Sequence, residues 1–259
     1  MVLAIVTVIT ALAWHAARDS SGNADLAVGE TRDAADSVTP PAAVPAQAAP
    51  VATAPRFDFY LFAMTLHDAF CADGHERQAE CRSKQAWPLV IHGLWPENLA
   101  PRTYPHDCPA PPLALDRALE LELQPFMPGM ADGLHRHEWR EHGGCSGLGD
   151  DQYFRAALDQ ARDLETLLAA RLTTLQGEET SAAALRGTAD LLGAGIGNTF
   201  TLHCRTLRGS GGRPVLLEIR RCVDNDGPGG EPGTPLDCAT VDRRDQGCGG
   251  SFLVLGPAR

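Results

Sequence analysis

The chain predicts an α+β fold: an antiparallel sheet packed with helices, in a disulfide-bonded single domain. Two observations predict it. Strand-like and helix-like segments are mixed, without the regular alternation that marks a parallel α/β fold. The eight cysteines all follow residue 70, an even set with no Cys-x-x-Cys pair. That pattern disfavours zinc ribbons and thioredoxin-like redox sites and favours disulfides formed in an oxidising compartment. The alternative is a set of buried free thiols.

Taken in order, Val2 to Trp14 is an almost continuous apolar run. It has the length of a signal-peptide core and is too short to span a bilayer comfortably. No basic residue precedes the run, which is atypical of a signal peptide and fits either a true start further upstream or an uncleaved anchor. Residues 1–14 are expected to be a signal peptide or an N-terminal anchor. Secretion or export to the periplasm follows from either. Residues 15–55 are an Ala/Pro-rich stretch carrying Pro40, Pro41, Pro45, Pro50 and Pro55. Such a composition cannot bury enough surface to fold and predicts a disordered linker. The folded domain is expected over 56–259.

Within it, the apolar and aromatic run from Phe57 to Leu66 predicts a buried strand. Leu89 to His92 predicts a second, short strand that stops at a Gly93 turn. Leucines at helical spacing predict a helix over 113–126, ended near Pro125 and Pro128. A short helix is expected over 137–142, terminated by Gly143-Gly144. Asp150-Asp151 is expected to cap a long helix reaching Leu175. Its apolar face is Phe154, Leu158, Ala161, Leu164, Leu168 and Leu172. A further helix is expected over 182–192, and strands over 200–206, 215–223 and 251–255. Asp226 to Pro235 is a Gly/Pro-rich loop.

The formal net charge is −11. A protein that tracks nucleic acid by broad phosphate neutralisation is usually basic. The balance argues against that class but allows a small cleft for one or two nucleotides, where local charge decides.

Chemistry concentrates in two blocks. One is Ile91-His92-Gly93-Leu94-Trp95-Pro96-Glu97; the other is His137-Glu138-Trp139-Arg140-Glu141-His142-Gly143-Gly144-Cys145. Histidine has the side-chain pKa nearest neutrality, so paired histidines suit proton donation and uptake in one turnover. A zinc-protease reading needs the histidines four apart, on one helical face. His137 and His142 are five apart, roughly 140° round an α-helix. A shared metal is therefore disfavoured, and the two blocks together point to acid–base chemistry on a phosphodiester.

These residues resemble the two active-site segments of the ribonuclease T2 family, in the same order and at a similar separation. Phe57-Asp58-Phe59-Tyr60 resembles the family's first core strand, with Cys71 following. The resemblance runs from about Phe57 to the C-terminus. It implies a mixed α+β fold whose two segments line one cleft. It also implies cleavage of single-stranded RNA through a 2′,3′-cyclic phosphate, without a metal; no cofactor is expected, and a monomer is. Carried over position by position, His142 is the base for the 2′-hydroxyl and His92 the acid for the leaving 5′-oxygen. His137 holds the phosphate, and Glu138 assists the charged transition state. Trp95 seats a base by stacking, with Glu97 at its polar edge, although Trp95 is also readable as core. Trp139 reads as helix packing and His135 as exposed. His67, His75, His106 and His203 read as incidental surface or loop histidines.

The chain departs from the family at Glu141, where lysine is usual; Leu66 and Asp68 depart where an aromatic and a proline are usual. A preorganised donor at a developing oxyanion contributes roughly 3–4 kcal/mol, so the Glu141 change bears on rate. The family pattern and chain order imply bridges Cys71–Cys81 and Cys108–Cys145. For the last four cysteines the nested arrangement Cys204–Cys248 and Cys222–Cys238 is preferred among three possible pairings. The competing reading is a catalytically weakened member that binds RNA or a protein, motivated by Glu141 and the acidic balance. Intact His92, Glu138 and His142 argue against it.

Overall fold

The computed structural model describes residues 55–99, 104–227 and 230–257. The expected signal or anchor segment and nearly all of the Ala/Pro-rich linker lie outside the described residues. Among the described residues, no helix is long and apolar enough to cross a membrane.

Six strands form one sheet: β1 Phe59–Thr65, β2 Val90–Glu97, β3 Glu179–Ser181, β4 Phe200–Thr206, β5 Pro214–Val223 and β6 Ser251–Leu253. The path is β2-β1-β5-β6-β3, with β4 also paired to β5. The pairings are antiparallel except β5 with β6, which meet in parallel at Val215 and Leu253. The sheet is thus antiparallel at its centre and mixed at one margin.

β2 is longer than its sequence predicts. It runs on through Gly93 to Glu97 because β1 pairs with it over the full length, from Phe59 opposite Glu97 to Thr65 opposite Val90. What replaces the expected turn is a β-bulge. Ala63 pairs with Gly93 and Met64 with Ile91, which leaves His92 as the extra residue. A bulge of this kind bends the strand and re-aims a side chain.

The helices are α1 His67–Phe70, α2 Arg117–Leu123, α3 Leu134–Glu138, α4 Gly144–Ser146, α5 Asp150–Thr174 and α6 Ala182–Asp190. The expected helix over 113–126 forms only from Arg117. Asp116 accepts hydrogen bonds from the Ala118 and Leu119 amides at 2.8 and 3.3 Å and so starts the helix there. Asp150 and Asp151 lie in the first turn of α5 rather than capping it. Their carboxylates bind the Ala114 and Asp116 amides instead, each at 2.8 Å. α5 buries Tyr153, Phe154, Leu158, Leu164, Leu168 and Leu172 against one sheet face that presents Tyr60, Phe62 and Met64. At roughly 1.5–3 kcal/mol for each large apolar side chain buried, this layer is the main source of stability. Tyr153 also reaches into β2, its hydroxyl donating to the Leu94 carbonyl at 2.6 Å.

The opposite sheet face carries a smaller apolar group, Phe59, Leu61, Cys222, Cys238 and Val241, with Trp95 packed beside it. The disulfides are Cys71–Cys81, Cys108–Cys145, Cys204–Cys248 and Cys222–Cys238.

Candidate active site

Both histidine blocks come together where β2 meets the segment from α3 to α4. That segment is not one regular helix. Trp139–Gly143 forms a π-helical turn between α3 and α4. Its bonds run i to i+5, so residues five apart come closer to one face than on an α-helix. The 140° of a regular α-helix therefore does not hold across this turn, which separates His137 on α3 from His142, and the charges of His137 and His92 both act on His142. Trp139 holds the turn from inside: it is buried, and its indole N–H donates to the Pro111 carbonyl at 2.9 Å. The Cys108–Cys145 bridge ties the preceding loop to the end of the same segment. Gly144 permits this, since a Cβ there would stand 2.7 Å from the Ala110 side chain and 2.8 Å from the Cys108 carbonyl.

Trp95 joins the blocks. Its Nε1–H donates to Glu138 Oε2 at 2.9 Å. Its ring lies 5.1 Å from that of His92 and 5.7 Å from that of His142, between centroids. The Arg220 guanidinium lies 5.6 Å over the Trp95 ring, within range for a cation–π contact. Gly93 makes the approach of Glu138 possible, because a Cβ at that position would collide with the Glu138 carboxylate and the Trp95 indole nitrogen.

The two histidines sit in opposite electrical surroundings. His142 is pulled down to about 4 by burial first, then by the charges of His137, His92 and His106. Its Nδ1 is buried with no hydrogen-bond partner among the described residues, and the charge of Asp107, which favours the charged ring, is outweighed. Burial also pulls His92 down. It is outweighed by the hydrogen bond and charge of Glu218, with Glu138 adding to them, and the net shift is upward. Environments that push two titrating groups apart in this way separate a base from an acid.

Glu218 was not among the sequence candidates. Its carboxylate is buried, and Oε1 lies 2.7 Å from His92 Nδ1. Oε2 accepts from Arg220 at 2.8 Å from Nε and 2.5 Å from Nη2. Burial would raise its pKa, but His203, His92 and Arg220 together hold it far below the carboxylate range. An ionised carboxylate only accepts, so His92 Nδ1 carries the proton. The signal in sequence was the run Val215-Leu216-Leu217-Glu218-Ile219, where a charge interrupts a buried strand and so demands a partner.

Glu138 is buried and its carboxyl is raised, by burial first; His92, Trp95 and His137 oppose this, and Glu141 adds to it. His137 is exposed, with Arg140 Nη2 3.5 Å from its Nδ1. Glu141 is half-buried, and its carbonyl accepts from the Asp107 amide at 3.0 Å. Glu97 is paired with Arg243 at 2.5 Å in a mostly buried ion pair. A cavity of about 510 Å³ opens beside this group, lined by His92, His137, His203, Glu218, Arg220 and Phe70 among others.

Three incidental histidines are placed differently from expectation. His135 is buried, not exposed, because α3 turns it inward. His67 is buried 3.7 Å from Glu80, with its ring against Trp87. His203 accepts from Arg220 at 2.8 Å and lines the cavity. His106 is exposed as expected, while His75 is half-buried and stacks on Phe70 at 4.2 Å.

The family model described as Ribonuclease T2 family matches residues 57–229. The chain belongs to the ribonuclease T2 family. It is similar to a ribonuclease of Aeromonas hydrophila, 35% identical over 104 residues, 40% of this chain and 45% of the relative. Extracellular ribonuclease LE of Solanum lycopersicum is 28% identical over 71% of this chain and 87% of its own length. The solved structure of ribonuclease MC1 from bitter gourd seeds superposes with a TM-score of 0.57 over 76% of this chain and all of the other. At 24% identity, that likeness is one of fold. As a member of the ribonuclease T2 family, the chain is a T2-type endoribonuclease. Its two histidine blocks occupy one cleft.

Proposed function

We propose that this chain cleaves single-stranded RNA by transphosphorylation, through a 2′,3′-cyclic phosphate. The observation that carries this reading is the opposed pair His142 and His92, one lowered and one raised, flanking Trp95. His142 enters the reaction neutral and takes the proton of the 2′-hydroxyl. The 2′-oxygen attacks phosphorus, and the bond from phosphorus to the 5′-oxygen breaks. His92 enters protonated and gives its proton to that leaving oxygen.

His137 faces the phosphate. Glu138, fixed by the Trp95 indole N–H, stands beside the charge that develops on it. Trp95 seats a base, with Glu97 held at its edge by Arg243. The chain's own acid and base supply both proton transfers, and the products are a cyclic phosphate and a free 5′-hydroxyl. A role confined to binding is not favoured, because the proton-transfer groups are brought together and held in opposite states. The disulfides support action outside the reducing cytosol, in the periplasm or in the medium.

The test is digestion of single-stranded RNA with purified protein in EDTA, with end-group analysis by mass spectrometry. Cyclic 2′,3′-ends that form in EDTA and vanish in His142→Ala support the reading. Intact bound RNA, or cleavage abolished by EDTA, overturns it.

A further inference from the structure

We propose that Glu218 is the positioning residue of the general acid, fixing the His92 ring with Nε2 toward the cleft and holding a negative charge against its far nitrogen. This rests on the reading of His92 as the acid. Glu218 lies on β5, 126 residues from His92, in neither histidine block.

The argument begins with backbone register. Thr65 of β1 pairs with Val90 on one side and Glu218 on the other, while Glu218 also faces His203 of β4. In a regular strand the side chains of residues 92 and 95 would point to opposite faces. The bulge re-aims His92, and its Nδ1 meets Glu218 Oε1 at 2.7 Å. A second register shift, between His203 and Cys204, brings His203 level with Glu218. Arg220, two residues along the same face, clamps the other carboxylate oxygen through Nε and Nη2 and reaches His203 Nδ1 at 2.8 Å. Glu218 therefore cannot rotate away without losing its hydrogen bonds to both His92 and Arg220. Its side chain is 7% exposed and that of His92 is 40% exposed. The buried end of the pair is the carboxylate, and the open end is the imidazole.

The groups facing His92 are Glu218 and Arg220 from β5, Glu138 from α3, and His142 from the π-helical turn. The two carboxylates favour the imidazolium and Arg220 opposes it, while His142, pulled down to about 4, stands opposite as a neutral ring. Glu218 is the one in hydrogen-bond contact. It selects the tautomer, orients the ring and stabilises the charged acid, the part a buried carboxylate plays toward a catalytic histidine elsewhere.

The experiment compares two substrates: a dinucleoside monophosphate, whose leaving alkoxide needs a proton, and a nucleoside 3′-(p-nitrophenyl phosphate), whose leaving group does not. Glu218→Gln keeps the size and removes the charge. It should slow the dinucleotide by about 10²-fold or more, within the range set by removing such a carboxylate, and lower the alkaline limb of kcat/KM. The nitrophenyl ester should be cleaved within about threefold of the parent rate. His92→Ala is run alongside. If it slows both substrates equally, the acid assignment itself fails. If it is selective while Glu218→Gln slows both equally or neither, Glu218 is structural and the proposal is overturned. Should Glu218→Gln not fold, ¹⁵N NMR of the unaltered enzyme decides. A protonated Nδ1 on His92 that titrates above the other exposed histidines supports the proposal, and an Nε2–H tautomer overturns it.

Discussion

Trp95 Nε1 donates to Glu138 Oε2 at 2.9 Å across the bare backbone of Gly93. This bond couples the strand-borne block to the helix-borne block at the point where the His92 and His142 rings flank Trp95. It fixes the Glu138 carboxylate and the plane of the Trp95 ring in one contact. Both groups depend on the absence of a side chain between them.

Gly93→Ala therefore tests how tightly the cleft is set. The new methyl group would displace either the Glu138 carboxylate or the Trp95 indole. A misplacement of about 1 Å can cost roughly 10²-fold in rate. We expect kcat on RNA to fall by about that factor, while far-ultraviolet circular dichroism keeps the parent spectrum. Unchanged kcat would mean that the contact between Trp95 and Glu138 is not needed for turnover.

The Cys108–Cys145 bridge gives a separate prediction. It closes a separation of 37 residues and holds the segment from α3 to α4 to the loop before α2. Removing a native disulfide typically costs about 2–5 kcal/mol. For a domain of this size that corresponds to a melting shift of roughly 5–15 °C. The double variant Cys108→Ser/Cys145→Ser should show that shift in calorimetry. Mass mapping that finds both thiols free in exported protein would remove the basis of the argument.

The pH profile follows from the roles proposed for the two histidines, His142 as base and His92 as acid. His142 must be neutral to accept a proton, and its surroundings pull it to about 4. Activity should thus hold as pH falls past the ordinary histidine range and be lost only as pH drops through about 4. His92 must be protonated to donate, and its pKa is raised. The alkaline limb of kcat/KM should therefore lie above the unperturbed value of about 6.5. Steady-state rates across this range on a dinucleotide substrate measure both limbs. An acid limb near 6.5 would contradict the assigned surroundings of His142.

How much of this was legible in the sequence depends on what each feature rests on. α5 was readable because its apolar face repeats at helical spacing, and Phe154 to Leu172 are buried as that spacing requires. The two blocks were readable because clustered histidines and carboxylates are rare in chains of ordinary composition. The geometry between them was not. A strand of period two puts residues 92 and 95 on opposite faces, and only the bulge against Ala63 and Met64 brings the two rings together. The π-helical turn likewise alters the angle between His137 and His142. Glu218 and His203 were missed because their roles come from register across β1, β5 and β4. The buried glutamate was visible, but its partner was not.

The charge at position 141 gives the last prediction. The family resemblance places a lysine there, and this chain has glutamate. Glu141 is half-buried, and its charge is among those that raise the Glu138 carboxyl, so it is felt inside the cleft. A negative group there opposes the charge that builds on the phosphorane oxygens. Glu141→Lys removes that opposition and adds a donor, a change that can reach about 10²-fold in rate when aimed at an oxyanion. We expect a faster enzyme, with the gain largest near neutral pH. The competing possibility is that Arg140, 3.5 Å from His137, already supplies the cation. In that case Glu141→Lys would change little and Arg140→Ala would be crippled. Rates of both variants from acid to neutral pH separate the two: a silent Glu141→Lys beside an inactive Arg140→Ala would show that position 141 does not act on the phosphorane.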